Sequence, residues 1–123
     1  MLNKRIIVVE DESIVRLDIV EMLKAEGLNV VAATNNGEKA IELAEILQPD
    51  LIIMDIKMPK VDGIKASEII SEKLDVPILL LTAYTQDEVI KIRKINSILG
   101  YLVKPVSENN LIQAVKNILF PSQ

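Results

Sequence analysis
Short apolar runs alternate along the chain with longer amphipathic stretches. The runs cover residues 5–9, 28–32, 51–54, 78–81 and 100–103. They are rich in Ile, Val and Leu, and three of them are continuously apolar. That pattern fits central strands of a parallel sheet covered on both faces. Helical spacing fills the gaps. Val15, Ile19, Met22 and Leu23 form one stripe, with Gly27 as a stop signal. Ala40, Leu43, Ala44 and Leu47 form a second, which Pro49 ends. Residues 64–73 read as a shorter helix after Gly63. Thr85 and Glu88 have the spacing of a capping box ahead of Val89, Ile92 and Ile95. Leu111, Ala114, Val115 and Ile118 form the last stripe, with Ser107 as its N-cap. A strand followed by a helix, five times over, predicts an α/β fold. Right-handed crossovers make it a three-layer, doubly wound (βα)5 parallel sheet.

The chain has 123 residues, enough for one domain; residues 1–120 read as that domain and 121–123 as a tail or truncated linker. Half of the residues are hydrophobic, which excludes intrinsic disorder, and the net charge of −4 argues against a nucleic-acid-binding surface. There is no Cys and no His. Disulfides, thiolate or imidazole metal sites and a Ser-His-Asp triad are therefore excluded. No apolar run approaches the roughly 18 residues of a membrane span, and the strand pattern starts too early for a signal peptide. A cytoplasmic location is expected, with no membrane partner.

In a doubly wound sheet, ligands bind beyond the carboxyl ends of the strands, near the reversal in strand order. That rule selects Glu10 and Asp11 after the first strand, Asp55 after the third, Thr82 after the fourth and Lys104 after the fifth. Three carboxylates at one edge repel each other, and a hard divalent cation, Mg²⁺ or Mn²⁺, would offset the repulsion. Helix N-capping before Ser13 would explain one of the first two acids, but not both. Asp55 closes an all-apolar strand, where an acid is costly unless partnered. A carboxylate beside a metal and a lysine is a candidate nucleophile for phosphoryl transfer. Lys104 precedes Pro105, and a cis bond there would turn the lysine toward the pocket. Each residue alone has an ordinary structural explanation; their combination is specific.

The sequence resembles the receiver domains of two-component response regulators over essentially its whole length. The likeness is carried by Val8-Val9-Glu10-Asp11-Glu12, by residues 55–63 (DIKMPKVDG), by Leu81-Thr82-Ala83, and by residues 100–105 (GYLVKP). It implies the flavodoxin-like strand order 2-1-3-4-5. It implies that Asp55 accepts a phosphoryl group from a histidine kinase or phosphotransfer protein. Mg²⁺ would be held by Asp11, Asp55 and the Lys57 carbonyl, with Glu10 acting through water. Lys104 would pair with the phosphoryl oxygens, Thr82 would reach toward the group once formed, and Tyr101 would rotate inward. The resemblance also implies kinase docking on the first helix, where Ile14, Leu17 and Val20 point away from the core stripe at about 100° per residue. A homodimer through the face of helix four, strand five and helix five is a further expected read-out. The segment 9–19 and the end of strand five look like receivers attached to RNA-binding antiterminator modules or to sensor kinases. The sequence departs from the usual pattern at Glu10, where Asp is commoner, and at Asn96-Ser97.

Three other functions compete. An Asp-nucleophile, Mg²⁺-dependent phosphatase would carry its nucleophile on the first strand, with a second Asp two residues on; here Lys57 follows Asp55 at that spacing. A non-phosphorylated pseudo-receiver is disfavoured by the intact acid, Thr and Lys set. A flavin binder would need Thr-rich phosphate loops and flanking aromatics. The expectation is a signalling switch, not a turnover enzyme on external substrates.

Overall fold
The computed structural model describes residues 3–83 and 86–121. The elements are β1 (Arg5–Val9), α1 (Ser13–Ala25), β2 (Asn29–Thr34), α2 (Gly37–Leu47), β3 (Leu51–Asp55), α3 (Gly63–Lys73), β4 (Ile78–Thr82), α4 (Gln86–Arg93), β5 (Ile98–Val103) and α5 (Glu108–Leu119). All pairings are parallel, in the order β2-β1-β3-β4-β5. The order reverses between β1 and β3, so the carboxyl ends of those two strands flank the switch point.

The central strands follow from their sequence. β3 and β4 are buried at every position, and β1 at all but Arg5. Successive side chains alternate between two cores. Ile7, Val9, Ile52, Met54, Ile78 and Leu80 pack with Ala40, Ala44, Ala66, Ile70 and Ile92 of α2, α3 and α4. Ile6, Val8, Leu51, Ile53, Leu79 and Leu81 pack with Ile19, Val20 and Leu23 of α1 and Leu111, Val115 and Leu119 of α5. Each fully buried aliphatic side chain contributes about 1.5–3 kcal/mol. With 27 buried hydrophobic residues among those described, the core holds without aromatics. The edge strands are wetter. In β5, Leu99, Tyr101 and Val103 face solvent.

Helix ends obey local chemistry. Asn36, Asp62 and Ser107 accept from the backbone N–H groups of Lys39, Lys65 and Asn110 at 2.7, 2.8 and 3.1 Å, which caps α2, α3 and α5. Gly27 takes a φ of 79° after α1, the left-handed conformation expected of a stop glycine. The expected cap residue Thr85 lies outside the described residues. One expectation is corrected here, and one competing explanation falls. Val20 is buried, not outward-facing: α1 lies against both the sheet and α5, so it buries an arc wider than one stripe. Neither Glu10 nor Asp11 caps α1, whose N-cap is Glu12, with no side-chain cap bond.

Candidate functional site
The strand ladder runs on past the strand ends and fixes the residues beyond them. The Glu10 N–H donates to the Thr34 carbonyl at 3.0 Å, that of Ile56 to Leu81 at 3.0 Å, and that of Lys104 to Thr82 at 2.8 Å. Glu10, Asp55 and Thr82 are thereby held on one edge, and all three are buried. The other buried polar side chain among those described, Ser67, is satisfied locally by the Gly63 carbonyl at 2.7 Å. Ile56 and Met58 anchor the β3–α3 loop in the core, while Lys57 between them is exposed. The Lys104–Pro105 bond is cis, as expected.

Lys104 joins the acids. Its Nζ lies 3.1 Å from Glu10 Oε1, 3.3 Å from Asp55 Oδ2 and 3.8 Å from Glu12 Oε1, and it donates to Glu10 Oε2 at 3.3 Å. Burial raises the Glu10 pKa. The Glu12 N–H at 3.0 Å and Lys104 oppose this, the Asp55 charge adds to it, and the net shift is upward. For Lys104, burial favours the neutral amine. The Glu10 hydrogen bond and the charges of Asp55 and Glu10 outweigh it, so its pKa is raised. Both shifts express one fact: two carboxylates share a single ammonium in a partly dry site.

Asp11 is exposed, and lines an open cleft of about 460 Å³ with Ile56, Lys57, Met58, Pro59, Asp62 and Glu88. The three expected carboxylates do not form one metal-holding cluster: among the described residues, no group of three acidic side chains is arranged to hold an ion. Glu10 and Asp55 sit together on the Lys104 ammonium, whereas Asp11 is exposed. The donors that could hold a cation are those the family likeness assigns, Asp11, Asp55 and the Lys57 carbonyl. Mg²⁺ usually keeps several waters and takes only one or two carboxylates, so two suffice. Glu10 Oε1 is buried and faces the Lys104 ammonium at 3.1 Å without accepting an aligned hydrogen bond, which leaves a lone pair for a water of such an ion.

The remaining expected residues are placed as follows. The Thr82 hydroxyl donates to Glu88 Oε1 at 2.5 Å. Tyr101 pairs with Leu80 in the ladder and is 37% exposed. Ile14 and Leu17 are 75% and 60% exposed on α1. Sequence reasoning missed two residues. Arg16 donates to the Glu10 carbonyl at 2.8 Å and ties α1 to the end of β1. In the sequence, Glu88 stands out only as half of a helix cap. Neither carried a sequence signal, because each acts across a turn that periodicity does not describe.

A parallel sheet that presents a buried acid pair and a lysine at its switch point is the framework of a signalling receiver. The chain belongs to the response regulator receiver domain family, which it matches over residues 6–116. It is similar to the transcriptional regulatory protein PdtaR of Mycobacterium tuberculosis, 42% identical over 113 residues, covering 92% of this chain and 55% of that protein. It is also similar to a protein-glutamate methylesterase/protein-glutamine glutaminase of Archaeoglobus fulgidus, 36% identical, covering 82% of this chain and 30% of that protein. The signal receiver domain of the response regulator NarL from M. tuberculosis superposes with a TM-score of 0.85 at 25% identity, covering 99% of this chain and 100% of that one. The chain spans about half the length of PdtaR. Receiver domains of this family are phosphorylation switches of two-component systems and generally bind Mg²⁺. Among the described residues, no helix is long and apolar enough to cross a membrane.

Proposed function
We propose that this chain accepts a phosphoryl group on Asp55 from a histidine kinase or phosphotransfer protein, in the cytoplasm, and passes on the resulting change as a signal. The observation that carries the reading is the Lys104 ammonium shared by Glu10 and Asp55 at the end of an apolar strand. A structural ion pair needs one acid. Here a second buried carboxylate is kept beside the cation, next to the open cleft that Asp11 and Lys57 line.

The chemistry follows from the residues. A carboxylate oxygen of Asp55 attacks phosphorus, and the donor's P–N bond breaks in line as the acyl phosphate forms. The imidazole leaves with the bonding pair and takes a proton from water. Lys104, already charged and aimed at Asp55, pairs with the oxygens of the arriving group without having to be reoriented. Mg²⁺, held by Asp11, Asp55 and the Lys57 carbonyl, would supply charge neutralisation on those oxygens. Glu10 holds Lys104 in place and has an acceptor to spare for a water. Thr82 turns to the new phosphoryl oxygens, and Tyr101, on the adjacent strand, moves into the space it leaves. The module performs this transfer on itself and turns over no external substrate.

Ile14 and Leu17 present exposed apolar surface to the phosphodonor protein. Ile90, Leu99, Tyr101 and Val103 form an exposed apolar set on α4 and β5, which favours a second copy of the chain as the read-out partner. Incubation with a small phosphodonor and Mg²⁺ should add a single phosphoryl mass. Asp55→Asn should abolish it, and undiminished labelling of that variant would refute the assignment.

A further inference from the structure
We propose that Glu88 is a positioning residue that holds the Thr82 hydroxyl away from the phosphoryl pocket and so sets how readily the phosphorylated arrangement forms. The proposal rests on the phosphoacceptor reading above and extends it to a residue on α4.

Thr82 is 1% exposed, and its Oγ1 donates to Glu88 Oε1 at 2.5 Å. Glu88 lies in the first turn of α4 and lines the cleft together with Asp11 and Lys57. A threonine hydroxyl carries one proton. While that proton is given to Glu88, it is not available to a phosphoryl oxygen on Asp55. The competition is between two anionic acceptors, and bonds to ionised acceptors are about twice as strong as neutral ones. The free protein therefore keeps the Thr82 hydroxyl engaged by Glu88, and phosphorylation must outbid a carboxylate to recruit it. Because Glu88 belongs to α4, the same exchange unties the first turn of α4 from the end of β4. Thr82 is thus linked to the surface that carries Ile90. Both arrangements exist beforehand, and Glu88 weights one of them.

The test is a cycle of Thr82→Ala and Glu88→Ala, read by the affinity for beryllofluoride, a phosphoryl mimic, in the presence of Mg²⁺. Glu88→Ala should tighten binding by about threefold to tenfold, the worth of one partly exposed charged hydrogen bond. In the Thr82→Ala background the same change should have an effect of less than about twofold, because the two residues act as a unit. Glu88→Gln, which keeps an acceptor without the charge, should fall between wild type and Glu88→Ala. An equal gain in both backgrounds would overturn the proposal and show that Glu88 acts only by repelling the anion or by shaping α4. A second reading needs no mimic. In the metal-free chain, scalar couplings at the Thr82 methyl should report one side-chain rotamer, and Glu88→Ala should average it; an unchanged rotamer overturns the proposal. A wild-type chain that binds no beryllofluoride would instead overturn the phosphoacceptor reading itself.

Discussion

Gly63→Ala should damage both the fold and the acceptor, because of where its methyl group would go. An added Cβ would lie 2.2 Å from the Asp55 carbonyl oxygen and 2.9 Å from both the Asp55 carbonyl carbon and the Ile56 Cα. All three are backbone atoms, so no side-chain rotamer relieves the clash. The Gly63 N–H also donates to the Ile56 carbonyl at 2.8 Å, which pins the two segments together. Restoring ordinary contact at 3.4 Å requires a separation of about 1.2 Å between the end of β3 and the start of α3. Overpacking of this kind costs typically 1–3 kcal/mol, and backbone against backbone belongs at about the upper end. For a domain of this size, that loss is a fall in melting temperature of roughly 10–15 °C. The internal control is Gly100→Ala, whose Cβ would meet Leu79 Cδ1 at an unstrained 3.6 Å. It should change stability by less than about 1 kcal/mol. Thermal unfolding followed by circular dichroism measures both variants. Labelling of Gly63→Ala by a small phosphodonor should also drop at temperatures where it is still folded, since the displaced atoms belong to Asp55. A Gly63→Ala chain that melts with wild type, or a Gly100→Ala chain that loses as much, would refute the reasoning.

Other expectations follow from the same site. Glu10 has a raised pKa in the fold, so its contribution to stability is present below the ordinary glutamate pKa and is lost as pH rises through the raised value. Glu10→Gln should therefore gain on wild type as pH rises toward neutrality in metal-free buffer, and a denaturant midpoint that falls behind wild type over that range would contradict it. Asp11→Ala should abolish Mg²⁺ affinity while Glu10→Gln only weakens it; a titration with the reverse order would reject the assignment of direct ligand and water-mediated partner. Leu17→Asp should slow phosphoryl transfer from a kinase but leave small-donor labelling intact, and equal loss with both donors would point to misfolding instead.

Much of this architecture was legible because the central strands are buried on both faces. Residues 6–9, 51–54 and 78–81 cannot be placed anywhere else in a soluble α/β domain, and the acid or threonine that ends each run marks the wet edge. The strand order was not legible from periodicity. Nothing in the hydropathy of residues 29–34 says that β2 lies outside β1, and the order came from the family likeness. Val20 was misread because a helical wheel assumes one buried stripe, whereas α1 faces a sheet and a second helix at once. At the site, types and positions were legible but not pairings. The sequence placed Glu10, Asp55 and Lys104 at one edge, yet only the geometry shows one ammonium shared by both acids while Asp11 stays exposed. Glu88 is the clearest case. A Glu three residues after Thr85 reads as a helix cap, and its bond to Thr82 depends on the course of the chain between β4 and α4.

The central claim is that Asp55 itself carries the phosphoryl group, and locating the modified residue tests it most directly. The chain is incubated with a small phosphodonor and Mg²⁺, the acyl phosphate is reduced with borohydride, and the peptides are sequenced by mass spectrometry. Reduction converts a phosphorylated aspartate to homoserine, so the account predicts homoserine at position 55 and aspartate at positions 11, 50 and 62. Homoserine at any of those three, with position 55 unchanged, would contradict it.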